Sequence, residues 1–368
     1  MELFDIVRIS NEYGKNPELV LGGGGNTSKK DGRVLYIKSS GTALATIEEA
    51  GFVPLSRRAL EETLTKAYPA DDRGREAAFL HDVMAGRTIP GETRRPSVEA
   101  LLHSLFPQKY VMHLHPALVN GLTCGKDGAE RAKALFGDRA IWIPSTRPGL
   151  VLGKRCHSAL EAYSEKREED AGLVLLENHG IFVAADTEEG LRALIEGTVA
   201  TLKSAVTSFP DEMRPETPQA GWAEAIRKHT GAAHVRFCAT PQILAYLQSE
   251  AAASDLLKPF TPDQIVYCGA NPVYVTSIEA LKDVSPKGRV ILVEQAGMFA
   301  IGQREKEAEL AALLFIDAIK IAVYARSFGG AQHLADDLIQ FIATWEAEAY
   351  RQKEAGKCMI SGIQGRSD

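Results

Sequence analysis

The chain has 368 residues, 45% of them apolar and 24% charged, with a formal net charge of −6. This is globular composition, long enough for two domains of roughly 150 residues each. Lys and Arg are scattered rather than massed, which argues against a nucleic-acid or anionic-membrane surface and leaves small molecules as the expected partners.

At the N-terminus no basic segment precedes an apolar stretch, and no run approaches the ~20 apolar residues of a membrane span, so the expected location is the cytoplasm. The short run Leu19-Val20-Leu21 leads into a glycine-rich loop, Gly22 to Ser28, and Val34 to Lys38 reads as a strand that ends in the turn Ser39-Ser40-Gly41. The glycine run lacks the ending of a Walker A loop and the spacing of a dinucleotide fingerprint. Its backbone N–H groups, with the side chains of Asn26, Ser28, Ser40 and Ser97, form instead an expected anion cradle. Behind Pro96, apolar residues at helical spacing from Ser97 to Leu105 predict a helix with Ser97 as N-cap and Glu99 on its first turn, its positive end adding to the cradle.

Tyr110 to His115 reads as a strand, and its period-2 alternation turns His113 and His115 to one face. Gly172 to Glu177 is nearly continuously apolar, the pattern of a strand buried on both faces, and both strands are followed by helical patterns. His179 lies just past the carboxyl end of the second strand, on the side where ligands settle. Taken singly, each histidine reads as an ordinary hydrogen-bonded residue. Three neutral imidazoles with an open coordination position form a common catalytic zinc site. By position alone Glu99 is an acid favoured at a helix N-terminus; beside a metal it becomes the proton carrier for chemistry next to a carbonyl, a role that calls for a raised pKa. The five cysteines, Cys124, Cys156, Cys238, Cys268 and Cys358, are widely spaced and contain no CxxC pair, which suits free thiols in a reducing compartment.

Ser208 to Thr217 is rich in proline and charge and reads as a linker. The expected organisation is therefore a catalytic domain over 1–212 and a second, smaller α/β domain with C-terminal helices over 213–368. Val174 to Val183 overlays Ile291 to Ala300 in step, strand, Glu, polar residue, Gly and Phe recurring. Under a duplication, Ala296 stands where His179 stands, and the second copy is a degenerate repeat without a site.

In order, Gly-Gly-Asn26-Thr-Ser28, Ser39-Ser40-Gly41, Pro96-Ser97-x-Glu99, His113-x-His115-Pro116 and Asn178-His179-Gly180 resemble the signature of the zinc-dependent class II aldolase/adducin family. The match runs from about 15 to 205. Phrases such as GGGGNTS, IKSSGTALATI and RRPSVEALLH look like the aldolase half of bifunctional rhamnulose-1-phosphate aldolase/lactaldehyde dehydrogenases. The resemblance implies a three-layer α/β/α fold around a mostly antiparallel sheet. It also implies Zn2+ on His113, His115 and His179, with Glu99 as acid/base, and phosphate held at Gly25, Asn26, Ser40, Gly41 and Ser97. The implied reaction is cleavage of a ketose 1-phosphate to dihydroxyacetone phosphate and an aldehyde, by a homo-oligomer. Relatives supply a tyrosine for the aldehyde-side proton, for which Tyr350 is a candidate outside the assigned set.

Two departures stand out. Val98 replaces a second serine that several relatives carry, removing one phosphate donor. The sequence also stops where the dehydrogenase half of the long homologues is expected. An epimerase or dehydratase on the same scaffold is the alternative reading, with glutamate at 99 favouring aldolase or dehydratase, whereas an adducin-like interaction module would be expected to lose the metal ligands.

Overall fold

The structure is a computed structural model that describes residues 2–167, 170–211, 221–283, 288–346 and 350. Contacts group the chain into two compact units. The first takes Met1–Val119, Ala129–Ser204 and the stretch from Thr344; the second takes Asn120–Gly128 and Ala205–Ala343. The expected boundary at 212 lies outside the described residues.

Seven strands build the first unit: β1 (Asn26–Lys30), β2 (Val34–Lys38), β3 (Phe52–Ser56), β4 (Tyr110–Leu114), β5 (Ile141–Ile143), β6 (Leu173–Leu176) and β7 (Gly180–Ala185). They form one sheet in the order β3-β2-β1-β4-β7-β6-β5, antiparallel throughout except for the parallel pair β5–β6. This is the mixed α/β fold with a largely antiparallel central sheet expected from the sequence. On one face, Leu35, Ile37, Val53 and Leu55 pack with Leu60, Phe79, Val83 and Leu101 from the covering helices, and Val111, Val174, Leu176 and Phe182 continue the core across the sheet.

Strand β1 departs from expectation. Asn26 to Ser28 read in the sequence as the end of the glycine-rich loop, yet all five residues of Asn-Thr-Ser-Lys-Lys are buried in the middle of the sheet. Alternation explains how this is tolerated. Asn26, Ser28 and Lys30 turn to the helix Ala100–Leu105, where the Lys30 ammonium donates to the carbonyls of His103 and Phe106 at 2.6 and 2.7 Å. Thr27 and Lys29 turn to the helix Phe4–Gly14: the Thr27 hydroxyl meets Ser10 at 2.6 Å, and Lys29 pairs with Asp5 at 2.7 Å.

A further difference concerns β6. A helical pattern was expected directly after it, whereas the chain first reverses through Glu177-Asn178-His179 into β7, with Leu176 opposite Gly180. Asn178 closes this hairpin in the left-handed region, at φ 57°.

The second unit contains β8 (His234–Cys238), β9 (Val273–Val275), β10 (Val290–Val293) and β11 (Gly297–Gly302), in the order β8-β11-β10-β9. Strand for strand and in direction this repeats β4-β7-β6-β5. Phe299 opposes Phe237 as Phe182 opposes His113, and Gln295 (φ 55°) takes the place of Asn178. The Glu294 N–H bonds Val275 as the Glu177 N–H bonds Ile143, both at 2.9 Å. The positions of His113, His115 and His179 are filled by Phe237, Ala239 and Ala296, so this copy has no equivalent histidines. Among the described residues, no helix is long and apolar enough to cross a membrane.

Burial raises the Asp5 carboxyl, but Lys29 and Tyr110 outweigh it and hold the pKa below the ordinary 3.8. A depressed carboxyl contributes stability above its unfolded pKa and loses it as pH falls through the folded value. Asp5→Asn removes the carboxylate facing the buried Lys29 ammonium, which keeps the Glu2 carbonyl, and urea unfolding at pH 7 is expected to show a loss of about 3 kcal/mol. The deficit should narrow as pH falls from the unfolded carboxyl's value of about 4 through the lower folded value of wild-type Asp5.

Candidate active site

His113 is the fourth residue of β4 and is fully buried; His115 follows just beyond the strand. Their Nε2 atoms face each other at 2.7 Å, as period-2 alternation requires. The β6–β7 turn brings in His179, whose ring centre lies 5.0 Å from that of His113 and 5.1 Å from that of His115. One nitrogen from each ring falls within a sphere of mutual distances no greater than 4.8 Å.

The chemistry of this donor set fits a divalent metal. Burial lowers the His113 pKa, favouring the neutral ring. Its Nδ1 lies 3.0 Å from the Ile181 carbonyl, an oxygen that can only accept, so Nδ1 carries a proton, and Nε2 is the atom turned toward the other two histidines and Glu99. Phe182 stacks on the same ring at 4.2 Å and fixes its plane.

Glu99 completes the cluster. Its Oε1 is 3.0 Å from His113 Nε2 and 3.3 Å from His179 Nε2. It is the N-cap of the helix Ala100–Leu105 rather than a residue of its first turn, because Ser97 and Pro96 are held in extended pairing: Ser97 N–H donates to the Lys38 carbonyl at 3.0 Å, and Pro96 bridges to Ser39. The six-residue helix therefore begins three residues after Ser97. Nor is the Glu99 pKa raised, as its role would demand. Burial pushes it up, but the attraction and hydrogen bond of His113, with His179 and His115 beyond, outweigh this and hold it well below the usual range.

The same extended pairing gathers the other candidate residues. Ser40 N–H donates to the Arg95 carbonyl at 2.8 Å, so the Ser39-Ser40-Gly41 turn lies against the segment leading to Ser97 and Glu99. Gly41 has φ 84° and Gly25 φ 65°; a Cβ on Gly25 would stand 2.8 Å from the His113 carbonyl, so only glycine fits there. The Ser97 hydroxyl lies 3.4 Å from the Glu99 N–H. Two expected donors are engaged within the protein: Ser28 bonds His103 at 2.7 Å, and the Asn26 amide donates to Glu99 Oε2 at 2.6 Å while its oxygen meets His103.

His103 and Lys38 were passed over in the sequence. The signal for His103 was its spacing of four from Glu99 on one helix, which puts both on one face. Lys38 reads as a solvated strand end, but it is buried, and its ammonium donates to the Thr42 carbonyl at 2.7 Å beside the serine turn. Tyr350 stacks on the Arg95 guanidinium at 4.7 Å, and Arg95 forms a two-point ion pair with Glu346 at 2.9 and 3.0 Å.

The sequence model of the Class II Aldolase and Adducin N-terminal domain matches residues 5–206, more than half of the chain, and the protein belongs to that family. A relative from Bacillus subtilis (strain 168), the uncharacterized oxidoreductase YuxG, is 24% identical over 94% of this chain and 58% of its own length. The chain thus spans little more than half of that relative. The N-terminal class II aldolase domain of a conserved protein from Thermoplasma acidophilum is 26% identical, covering 55% of this chain and 93% of that one, with a TM-score of 0.47. An L-fuculose 1-phosphate aldolase is 20% identical over 55% of this chain and 86% of its own, with a TM-score of 0.35.

Titration of the metal-stripped protein with a divalent transition metal is expected to raise the melting temperature, since a ligand that binds only the folded state stabilises it. His115→Ala should abolish the shift and the bound metal measured by elemental analysis.

Proposed function

We propose that this chain is a zinc-dependent aldolase that cleaves a ketose 1-phosphate, of the rhamnulose or fuculose 1-phosphate kind, to dihydroxyacetone phosphate and an aldehyde. The observation that carries the reading is the reach of one carboxylate oxygen, Glu99 Oε1, to ring nitrogens of two of the three clustered histidines. That geometry supports a metal-binding triad with a proton carrier against it, in a chain of the aldolase family.

Zn2+ suits three neutral imidazole nitrogens with an open position. It would be held by His113, His115 and His179, and when bound it supplies Lewis-acid polarisation of the substrate carbonyl. The rest is work for the chain's own residues. In the addition direction the ionised Glu99 removes a proton from the hydroxymethyl carbon of dihydroxyacetone phosphate, next to the carbonyl. In cleavage the C4 hydroxyl passes its proton to solvent water, the C3–C4 bond breaks with its electron pair passing to C3, and Glu99, having taken up a proton from solvent, delivers it to that carbon.

Phosphate falls to Gly25, Ser40, Gly41 and Ser97, with the Asn26 amide at the boundary between the anion loop and Glu99. Val98 leaves this cradle one hydroxyl poorer than in several relatives. The activity is assigned to the domain 1–212, acting in the cytoplasm as a homo-oligomer on a small sugar phosphate.

Wild type and Glu99→Gln, both loaded with zinc, are to be compared in a coupled assay for dihydroxyacetone phosphate released from a panel of ketose 1-phosphates. Cleavage of at least one is expected, with kcat lower by about 10²- to 10⁴-fold in the variant and zinc content unchanged. A zinc-loaded wild type that releases no dihydroxyacetone phosphate from any of them sinks the aldolase reading.

A further inference from the structure

His103 lies one turn after Glu99, fully buried in the helix Ala100–Leu105, and both of its ring nitrogens are engaged. Nδ1 is 2.7 Å from the Ser28 hydroxyl, and Nε2 meets the Asn26 side-chain oxygen. The other end of that amide donates to Glu99 Oε2 at 2.6 Å. Phe182 packs edge-on against the His103 ring at 5.3 Å and flat against His113 at 4.2 Å, so one phenyl ring holds both imidazoles in place.

The direction of every proton in this row follows from its end. A carboxylate has no hydrogen to give, so the Asn26 NH2 must face Glu99 and the Asn26 oxygen must face His103. An amide oxygen only accepts. His103 therefore carries its proton on Nε2, and its Nδ1 accepts from Ser28. Burial drives the His103 pKa well below its ordinary value, consistent with a neutral ring bearing a single N–H.

We propose that His103 is a positioning residue: through Asn26 it fixes the carboxylate of Glu99, holding Oε2 on the amide so that Oε1 is aimed at the histidine cluster. Without the His103 N–H the amide loses its reason to face one way. Turned by half a rotation, it would set its oxygen against the Glu99 carboxylate and push it from its place. Ser28 donates to Nδ1 in that tautomer and so belongs to the same row. The catalytic part of this inference rests on Glu99 as the proton carrier; the order of protons along the row does not.

The test uses the zinc-loaded full chain and His103→Phe, His103→Gln, Asn26→Ala and the double variant His103→Phe/Asn26→Ala. His103→Phe keeps a ring in the core and should lower kcat by about 10- to 100-fold, the usual cost of losing an outer hydrogen-bond partner of a catalytic group. KM and zinc content should stay at wild-type values. His103→Gln, which can both donate and accept, should recover most of the loss. The double variant should be no slower than Asn26→Ala, because the two residues act as one unit.

Additive losses, no recovery with glutamine, or an effect confined to KM would overturn the proposal. Histidine 15N NMR of the wild type is independent of any substrate and of whether the variants fold. A neutral His103 protonated on Nε2 is expected, and protonation on Nδ1 or on both nitrogens overturns it. If wild type cleaves no ketose 1-phosphate, the aldolase reading fails while the NMR result still decides the row.

Discussion

A strand made only of polar residues runs through the centre of the large sheet, and each of its side chains must find a partner because no water reaches it. That requirement organises the first unit. Asn26, Ser28 and Lys30 dictate where the helix Ala100–Leu105 sits, since its side chains and its last carbonyls are their partners. Thr27 and Lys29 do the same for the helix Phe4–Gly14 on the opposite face. The residue before the first turn of the helix Ala100–Leu105 is Glu99, and the residue of β4 opposite Asn26 is His113. Satisfying the strand therefore brings acid and imidazole together before any ligand is considered.

The site that results is costly to build. A carboxylate withdrawn from water is tolerated only where fixed donors and opposite charges replace its hydration. Here Asn26 takes one oxygen and the histidine cluster surrounds the other. Three imidazole nitrogens gathered beside an anion make a place where a cation would relieve crowding rather than create it. Phe182, flat against His113 and edge-on against His103, limits how far these groups can relax.

The apolar half of this molecule was legible in the sequence and the polar half was not. Val34 to Lys38, Tyr110 to Leu114 and Leu173 to Leu176 announce themselves through β-prone apolar residues, and the structure has strands there. Hydrophobic periodicity is silent about Asn26 to Lys30, whose burial depends on partners about 20 to 80 positions away in the chain. His113 and His115 were legible because alternation on a strand turns both to one face, and His179 because it directly follows a strand buried on both faces. His103 was missed because a single histidine in a helix has many. The helix start was placed at Ser97, a good cap by residue type, yet the backbone there is already committed to pairing with Lys38. Local chemistry proposed a cap, and tertiary pairing overrode it.

The second sheet offers something that point mutagenesis rarely provides, a hairpin of matching topology with no histidine in its turn. Left-handed backbone at an asparagine next to a histidine of the cluster invites an interpretation as stored strain. Gln295 adopts the same conformation within 2° in a turn flanked by alanine, where no chemistry is available to make use of it. The conformation at Asn178 is thus a property of the reversal between two strands, whatever side chains surround it.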